Sequence, residues 1–285
     1  MTRRVILVCS NKGGAGKTTF ARALLELLRC EGYAVAAYDA DGRVGQFYQH
    51  EGTRDANGVL LARQDPLAGC GCFDIREEDE RDILLNALAG NPPILLFDLP
   101  GGVVGELGKV MDRGLVPNAL FSAYRKRGYA ITLVLVMTPI QASIRTVRQS
   151  IENFGDHVAY VAVKNLAFGS AQSFVLFDGC DQDGLQLPVS ESKQALHKQD
   201  GVLITMPALE ARSYALLDVY SAKYTEAATG QGRARRMPIA DQERIAAWMQ
   251  EFDRQMTPAR PLLGFLTEES ATDEAIKGCP RRRMP

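Results

Sequence analysis

The chain has 285 residues, of which 46% are hydrophobic and 24% are charged. This composition supplies a large buried core and excludes an intrinsically disordered chain. Lys and Arg number 33 against 34 Asp and Glu, for a formal net charge of -1. The charge therefore excludes a bulk attraction to nucleic acid or to anionic membrane, and any such contact has to be local.

Neither the N-terminus nor the cysteines indicate export. The apolar run after the first arginines is too short for the core of a secretory signal, and no stretch approaches the roughly 20 apolar residues of a membrane helix. We therefore expect a cytoplasmic protein, with nucleoid association as a further possibility. The six cysteines follow no disulfide framework. For Cys70 and Cys72 in "GCGCF" we favour incidental loop thiols over a metal or redox pair.

Short apolar runs alternate with segments of helical period, which predicts an α/β fold with a doubly wound, mostly parallel sheet flanked by helices. Each run reads as a strand buried on both faces. In chain order they are RVILVCS, AVAAYD, PILLFDL, AITLVLVM, VAYVAVKN and GVLITMP. Helices are predicted in TTFARALLELLRCEGY, where Gly32 would end the helix, and in IQASIRTVRQSIENFG. Residues 52–80 lack periodicity, and we expect a long loop or short helices there.

The C-terminal part contains one more amphipathic helix, in ADQERIAAWMQEFDRQM. Because acidic residues on its other faces would be repelled by anionic lipid, we favour docking on the domain over a partner or membrane-surface helix. Its predicted apolar face consists of Ile245, Trp248, Met249, Phe252 and Met256. We predict one domain over residues 1–258 and a flexible C-terminal extension over 259–285.

A phosphate-binding loop is predicted in "NKGGAGKTT", because a strand, a glycine-rich turn and a helix follow one another there. Backbone N–H groups from Gly14 to Thr18 would surround the phosphates at the helix N-terminus. Lys17 would contact the β and γ oxygens, and the Thr18 hydroxyl would bind magnesium. Lys12, five residues before Lys17, is an additional lysine that an ordinary loop of this kind does not need.

Carboxylates follow two other predicted strands, at the sheet edge where ligands of open α/β sheets bind. Asp98 in "FDLPGG" can hold a magnesium-bound water, and the glycines after it, including Gly102, let the backbone approach a γ-phosphate. Asp39 and Asp41 in "YDADG" follow the second strand. One of these two is suited to orienting the water that attacks phosphorus.

The run from Lys12 to Thr19 resembles the deviant Walker A motif of the ParA/MinD family of ATPases. The resemblance implies a P-loop ATPase domain that uses ATP and Mg²⁺ and forms a nucleotide-dependent homodimer, with Lys12 reaching the phosphates of the partner subunit. It implies three catalytic residues, Lys12, Lys17 and Asp41, and a metal site of Thr18, Asp39 and Asp98. The implied nucleotide-binding residues are Gly13, Gly14, Ala15, Gly16, Lys17, Thr18, Thr19 and Gly102, with Asn165 for adenine and Pro207 for the base pocket.

The family resemblance leaves several cellular roles open. We favour a dimerising ATPase switch in plasmid or DNA segregation, stability or conjugation, similar to plasmid-borne ParA-like proteins of the StbB type. Such a switch implies an adaptor or DNA-bound partner protein, and nonspecific DNA binding through basic clusters such as "YRKRGY" and "GRARRM" is open.

Alternatives are a MinD-like membrane-positioning ATPase, an ATP-dependent carboxylate-activating enzyme and a metal-cluster carrier. Membrane binding ranks low, because the arginines of the C-terminal tail lack interleaved large apolar residues. Residues 52–92 match no part of the family pattern.

Overall fold

The computed structural model describes residues 3–10, 12–103, 107, 119–182 and 184–266. Its strands are β1 (Arg3–Cys9), β2 (Val35–Asp39), β3 (Gly71–Cys72), β4 (Ile94–Asp98), β5 (Tyr129–Met137), β6 (Ala159–Asn165), β7 (Cys180–Gln182), β8 (Leu185–Leu187) and β9 (Val202–Met206). Seven of them form one sheet in the order β3-β2-β4-β1-β5-β6-β9, with parallel pairing throughout. The six predicted strands and the predicted fold class are confirmed.

Two features of the strand set were not predicted. β3 is only two residues long and adds an edge strand beside β2, within the segment that we expected to be loop or short helices. β7 and β8 form a separate antiparallel hairpin. Both elements are too short to give a hydrophobic period, so the sequence pattern contains no signal for them.

The α-helices cover both faces of the sheet. They are α1 (Lys17–Cys30), α2 (Gln46–Glu51), α3 (Ile83–Asn86), α4 (Ala119–Lys126), α5 (Gln141–Phe154), α6 (Val175–Asp178), α7 (Glu191–Lys198), α8 (Ala211–Tyr220), α9 (Tyr224–Thr229) and α10 (Ile239–Met256). Alternate residues of β1 face opposite layers. Ile6 and Val8 belong to the core that contains α1 and α10, whereas Val5 and Leu7 belong to the core that contains α4 and α5.

Helix α1 carries the phosphate-binding loop at its N-terminus and is fixed by its apolar face. The predicted face is buried in the core, as Phe20, Leu24, Leu27 and Leu28 are each at most 2% exposed. The helix ends as predicted, because Gly32 adopts a φ of 87° and the Tyr33 N–H donates to the Leu28 carbonyl at 2.9 Å. This left-handed ending needs glycine and satisfies the last carbonyls of the helix.

The C-terminal helix α10 docks on the domain. All five apolar residues of its predicted face are buried. Phe252 meets Phe20 of α1 edge to face, with ring centroids 5.5 Å apart. Beyond the helix, residues 257–266 stay on the same core, where Leu263 and Phe265 are buried. The boundary predicted after residue 258 falls inside this packed segment, and residues 267–285 of the extension predicted over 259–285 lie outside the described residues.

Candidate functional site

The loop between β1 and α1 is shaped by glycines. Gly14 and Gly16 have φ values of 74° and 96°, a region in which a side chain is strained. A Cβ atom at Gly13 or Gly14 would meet nothing within 4 Å, so the upper side of the loop is open. The helix begins directly after Gly16, at Lys17. The loop therefore presents backbone N–H groups at a helix N-terminus to an open space, which suits an anion.

The two lysines of the motif occupy different environments. Lys17 is only 8% exposed, and its positive charge lowers the pKa of the Asp98 carboxyl. Lys12 is exposed, and the Ser10 hydroxyl holds its backbone by donating to its carbonyl at 2.7 Å. No described residue forms a hydrogen bond or an ion pair with Lys12 Nζ. Lys17 is thus buried beside the loop, while the side chain of Lys12 is exposed to solvent.

Asp98, at the end of β4, lies next to Thr18. The Thr18 hydroxyl donates to Asp98 Oδ2 at 2.6 Å. Burial, followed by the nearby Asp39 carboxylate, raises the pKa of Asp98 to about 8. Its other oxygen, Oδ1, is buried and has no hydrogen-bond partner among the described residues.

A divalent cation fits this pair of residues. Carboxylate and hydroxyl oxygens are the hard donors that Mg²⁺ prefers. An unpaired buried oxygen is costly unless a ligand or an ion satisfies it. Asp98 Oδ1 and the Thr18 hydroxyl therefore match a magnesium site in donor chemistry.

Asp39 organises the loop that follows β2. Its register partner in β4 is Asp98. Its two carboxylate oxygens accept hydrogen bonds from the Asp41 N–H at 3.0 Å and the Tyr48 N–H at 2.9 Å. Burial raises its pKa to about 6, although these backbone N–H groups oppose the rise. Gly45 passes so close that a Cβ there would lie 2.1 Å from Asp39 Oδ2. The carboxylate of Asp39 therefore holds the two ends of residues 41–48 in place through these hydrogen bonds.

Asp41 lies two residues after Asp39 and is 48% exposed. Arg76 Nη1 donates to its Oδ1 at 2.8 Å. Its negative charge contributes to raising the pKa of Asp98, which places it within electrostatic range of the candidate magnesium site. The predicted catalytic carboxylate is thus next to the other predicted groups but is ion-paired on its outer side.

The glycines after Asp98 approach the phosphate-binding loop closely. A Cβ at Gly101 would lie 2.9 Å from the backbone nitrogen of Gly13. Gly102 has a φ of 84°, and its N–H donates to the Ser10 carbonyl at 3.2 Å. The segment therefore borders the loop, with the Gly102 N–H bonded to the protein itself, and its approach to a γ-phosphate stays a prediction.

Asn165, at the end of β6, is 3% exposed and is bonded to the loop. Its Nδ2 donates to the Ala15 carbonyl at 2.8 Å, and its Oδ1 accepts from the Ala167 N–H at 3.0 Å. A Cβ at Gly16 would lie 2.3 Å from Asn165 Nδ2. These contacts give Asn165 a role in holding the loop, and its recognition of adenine stays a prediction.

Pro207 follows β9 on the same side of the loop. Its carbonyl accepts a hydrogen bond from Trp248 Nε1 at 2.8 Å, which ties the β9 end to α10. Close by along the chain, α8 places the Tyr214 hydroxyl 3.1 Å from the Thr19 hydroxyl. Tyr214 is 37% exposed, so an aromatic ring borders the start of α1.

Sequence reasoning missed Arg76 and Tyr214. Arg76 belongs to the stretch without periodicity, where one arginine among several charged residues gives no signal. Tyr214 lies on a short helix after the last strand of the sheet, and its distance of 195 residues from Thr19 hides the contact. Within the described residues, no three His, Cys, Asp or Glu side chains are grouped to hold a metal ion.

A parallel sheet, an open glycine loop at a helix N-terminus, a buried lysine and a Thr–Asp pair together define a P-loop nucleotide-binding protein. The sequence matches the family described as the CobQ/CobB/MinD/ParA nucleotide binding domain over residues 6–267, and the chain belongs to this family. The predicted ParA/MinD relationship is confirmed. No curated protein matches the sequence.

Several solved structures are similar to the chain. The MinD cell division protein of Aquifex aeolicus is 17% identical, with 88% of this chain and 97% of that chain covered and a TM-score of 0.45. MinD of Pyrococcus horikoshii, complexed with Mg-ADP, is 16% identical over 88% and 96% of the two chains, with a TM-score of 0.45. A putative plasmid partition protein of Borrelia burgdorferi bound to AMPPNP is 11% identical over 88% and 99%, with a TM-score of 0.41.

Among the described residues, no helix combines the length and apolar character that crossing a bilayer requires.

Proposed function

We propose that the protein is an ATPase switch that dimerises with ATP, hydrolyses it to ADP and phosphate, and acts in plasmid or DNA segregation, stability or conjugation. The observation that carries the proposal is the contrast between the two lysines. Lys17 is buried beside the phosphate-binding loop, whereas Lys12 is exposed at the start of the loop. The ammonium group of Lys12 has no partner among the described residues. A lysine so placed suits the phosphates of a second subunit, where it would neutralise charge that grows in the transition state.

The proposed reaction is an in-line attack of water on the γ-phosphorus. A bond forms between the water oxygen and phosphorus as the bond to the β-γ bridging oxygen breaks, and its electron pair leaves with ADP. The proton of the water ends on the released phosphate. Asp41 would orient the water, while Lys17 and the partner's Lys12 would stabilise the negative charge on the phosphate oxygens.

Thr18 and Asp98 would hold Mg²⁺, with Asp39 keeping the neighbouring loop in place. The ion, when bound, would neutralise part of the phosphate charge. The protein's own contribution is the buried, unpaired Asp98 Oδ1, which such an ion would satisfy.

The base end of the nucleotide would lie near Asn165 and Pro207, on the side of the loop that Tyr214 borders. For DNA, the exposed C-terminal end of α4, with Arg125, Lys126 and the following Arg127, is the best candidate surface. Arg148 is a weaker candidate because it pairs with Glu152 and Glu191. A partner protein that binds the ATP dimer would complete the switch.

The molar mass of Asp41→Ala in solution, with Mg-ATP and with Mg-ADP, tests the proposal. We expect a dimer with ATP only, because hydrolysis is blocked and the bridging phosphate remains. A second run with double-stranded DNA tests whether that dimer alone binds it. A monomer with both nucleotides would contradict the switch.

The two lysine variants separate their roles. Lys17→Ala should abolish ATP binding, because it removes the buried cation of the loop. Lys12→Ala should keep part of the monomer's ATP affinity and lose hydrolysis, since its ammonium group faces outward. Nucleotide affinity measured by titration calorimetry, beside phosphate release, checks both. An equal loss of affinity in the two variants would argue against a role for Lys12 across a dimer interface.

A further inference from the structure

Arg76 is bonded to the carboxylate proposed to orient the attacking water. Its Nη1 lies 2.8 Å from Asp41 Oδ1. No described residue donates a hydrogen bond to the other oxygen of Asp41, Oδ2. One oxygen is therefore fixed by a guanidinium, and the other is left to accept from a ligand or from water.

The position of Arg76 is set by backbone pairing between two loops. The Phe73 N–H donates to the Asp39 carbonyl at 2.9 Å, and the Ile75 N–H donates to the Ala40 carbonyl at 3.1 Å. The Gly42 N–H donates back to the Phe73 carbonyl at 3.0 Å. Residues 73–75 thus run along residues 39–42, and Arg76 comes next in the chain.

The backbone of Arg76 is held on both sides. Its N–H donates to Asp74 Oδ1 at 2.9 Å, and its carbonyl accepts from Arg81 Nη2 at 2.7 Å. Asp74 Oδ1 also lies 3.6 Å from Arg76 Nη1. The guanidinium therefore sits on an anchored segment and reaches Asp41 from a defined direction.

Charge also favours an arginine here. Asp39, Asp41 and Asp98 converge at one edge of the sheet, and the pKa of Asp98 is raised partly by the other two. The Asp41 carboxylate in turn raises the pKa of Arg76. Arg76 keeps a permanent charge and offers a planar donor that fixes the carboxylate plane, which a flexible ammonium would not.

We propose that Arg76 is a positioning residue for ATP hydrolysis, which fixes Asp41 Oδ1 so that Oδ2 faces the attacking water. This inference rests on the proposed hydrolysis of ATP. Without Arg76, a half-exposed carboxylate rotates freely and is less often in the productive orientation. Arg76 and Asp41 are 53% and 48% exposed. An ion pair this exposed adds little to the free energy of unfolding. Its loss should therefore show in the rate rather than in folding.

Steady-state ATP hydrolysis tests the proposal with the wild type, Arg76→Ala, Arg76→Lys and a matched control. The control is Arg63→Ala, which removes an exposed arginine of the same segment that has no contact with Asp41. We expect Arg76→Ala to lower kcat about tenfold with KM and ATP affinity unchanged, since orientation and not binding is lost. Arg76→Lys should recover part of the rate, and added methylguanidinium should rescue Arg76→Ala but not Arg63→Ala.

A double substitution separates positioning from a merely structural effect. In an Asp41→Asn background, Arg76→Ala should leave the residual rate of ATP hydrolysis unchanged, because the carboxylate that it positions is already gone. A wild-type rate in Arg76→Ala, or a further tenfold loss in the double variant, would overturn the positioning role alone. A wild type that binds ATP but never releases phosphate would overturn the proposed hydrolysis itself. Melting temperatures of all variants within about 2 °C of each other would confirm that folding is unaffected.

Discussion

Asp98 should make the stability of the nucleotide-free protein fall as the pH rises. Burial raises the pKa of its carboxyl to about 8, whereas an aspartate in an unfolded chain has a pKa of about 3.9. Between these two values the folded protein keeps a proton that the unfolded chain has lost. Stability from this group is therefore complete below about pH 4 and is lost progressively up to about pH 8.

The size of the effect follows from the linkage of proton binding to folding. One group that is protonated only in the folded state changes the free energy of unfolding by about 1.4 kcal/mol per pH unit. From pH 6 to pH 8 the loss is about 2 kcal/mol, because ionisation of the folded form begins near the upper limit. For a domain of this size that corresponds to a fall in melting temperature of roughly 3 to 4 °C.

The contribution of Asp98 is measured by thermal unfolding of the wild type and of Asp98→Asn. Circular dichroism follows the unfolding at pH 6, 7 and 8. Asparagine keeps the shape of the side chain without the ionisable proton. Glu51, whose pKa burial also raises to about 8, affects both proteins equally and drops out of the comparison. Because only the wild type loses this contribution, the free energy of unfolding of the variant relative to the wild type should rise by about 2 kcal/mol between pH 6 and pH 8. Parallel melting curves for the two proteins across this range would refute the reasoning.

Two further changes test the contacts around the loop. Gly45→Ala should lower stability by about 1–3 kcal/mol in urea unfolding, because its Cβ would enter the Asp39 carboxylate. Gly90→Ala is the control, since the nearest atom to its Cβ would lie at 4.0 Å, and equal losses in both would contradict the steric argument. Asn165→Ala should weaken ADP binding about tenfold in a titration, because the Ala15 carbonyl loses its 2.8 Å donor. Unchanged ADP affinity would show that the loop keeps its shape without this bond.

The core of the fold was predictable because its signals are local. The runs that became β1 and β4 are apolar on both faces, and the loop before Lys17 has its strand and helix directly beside it. The edge strand at Gly71 had no such signal, since two residues show no period and its pairing with β2 is formed by distant parts of the chain. Hydrophobic periodicity therefore predicts an element well when the element is long and has an apolar face of its own.

The candidate site was predictable in its residue types and less so in their contacts. Asp39 and Asp41 were both identified, yet the sequence did not show that the first binds backbone N–H groups while the second pairs with Arg76. These differences depend on how residues 41–48 and 73–76 fold around the carboxylates. The positions of such loops are set by hydrogen bonds between segments that are distant in sequence. These hydrogen bonds produce no periodic pattern in the sequence from which they could be predicted.

The packing of α10 on α1 has a consequence for how the protein is made. The face of α1 that includes Phe20 is covered by Phe252, a residue that the ribosome adds more than 200 positions later. At 5–20 residues per second, that interval lasts roughly 10 to 45 s. Throughout it, the nascent chain carries an uncovered apolar helix directly after its phosphate-binding loop. Chains released before α10 is complete should therefore aggregate through this face.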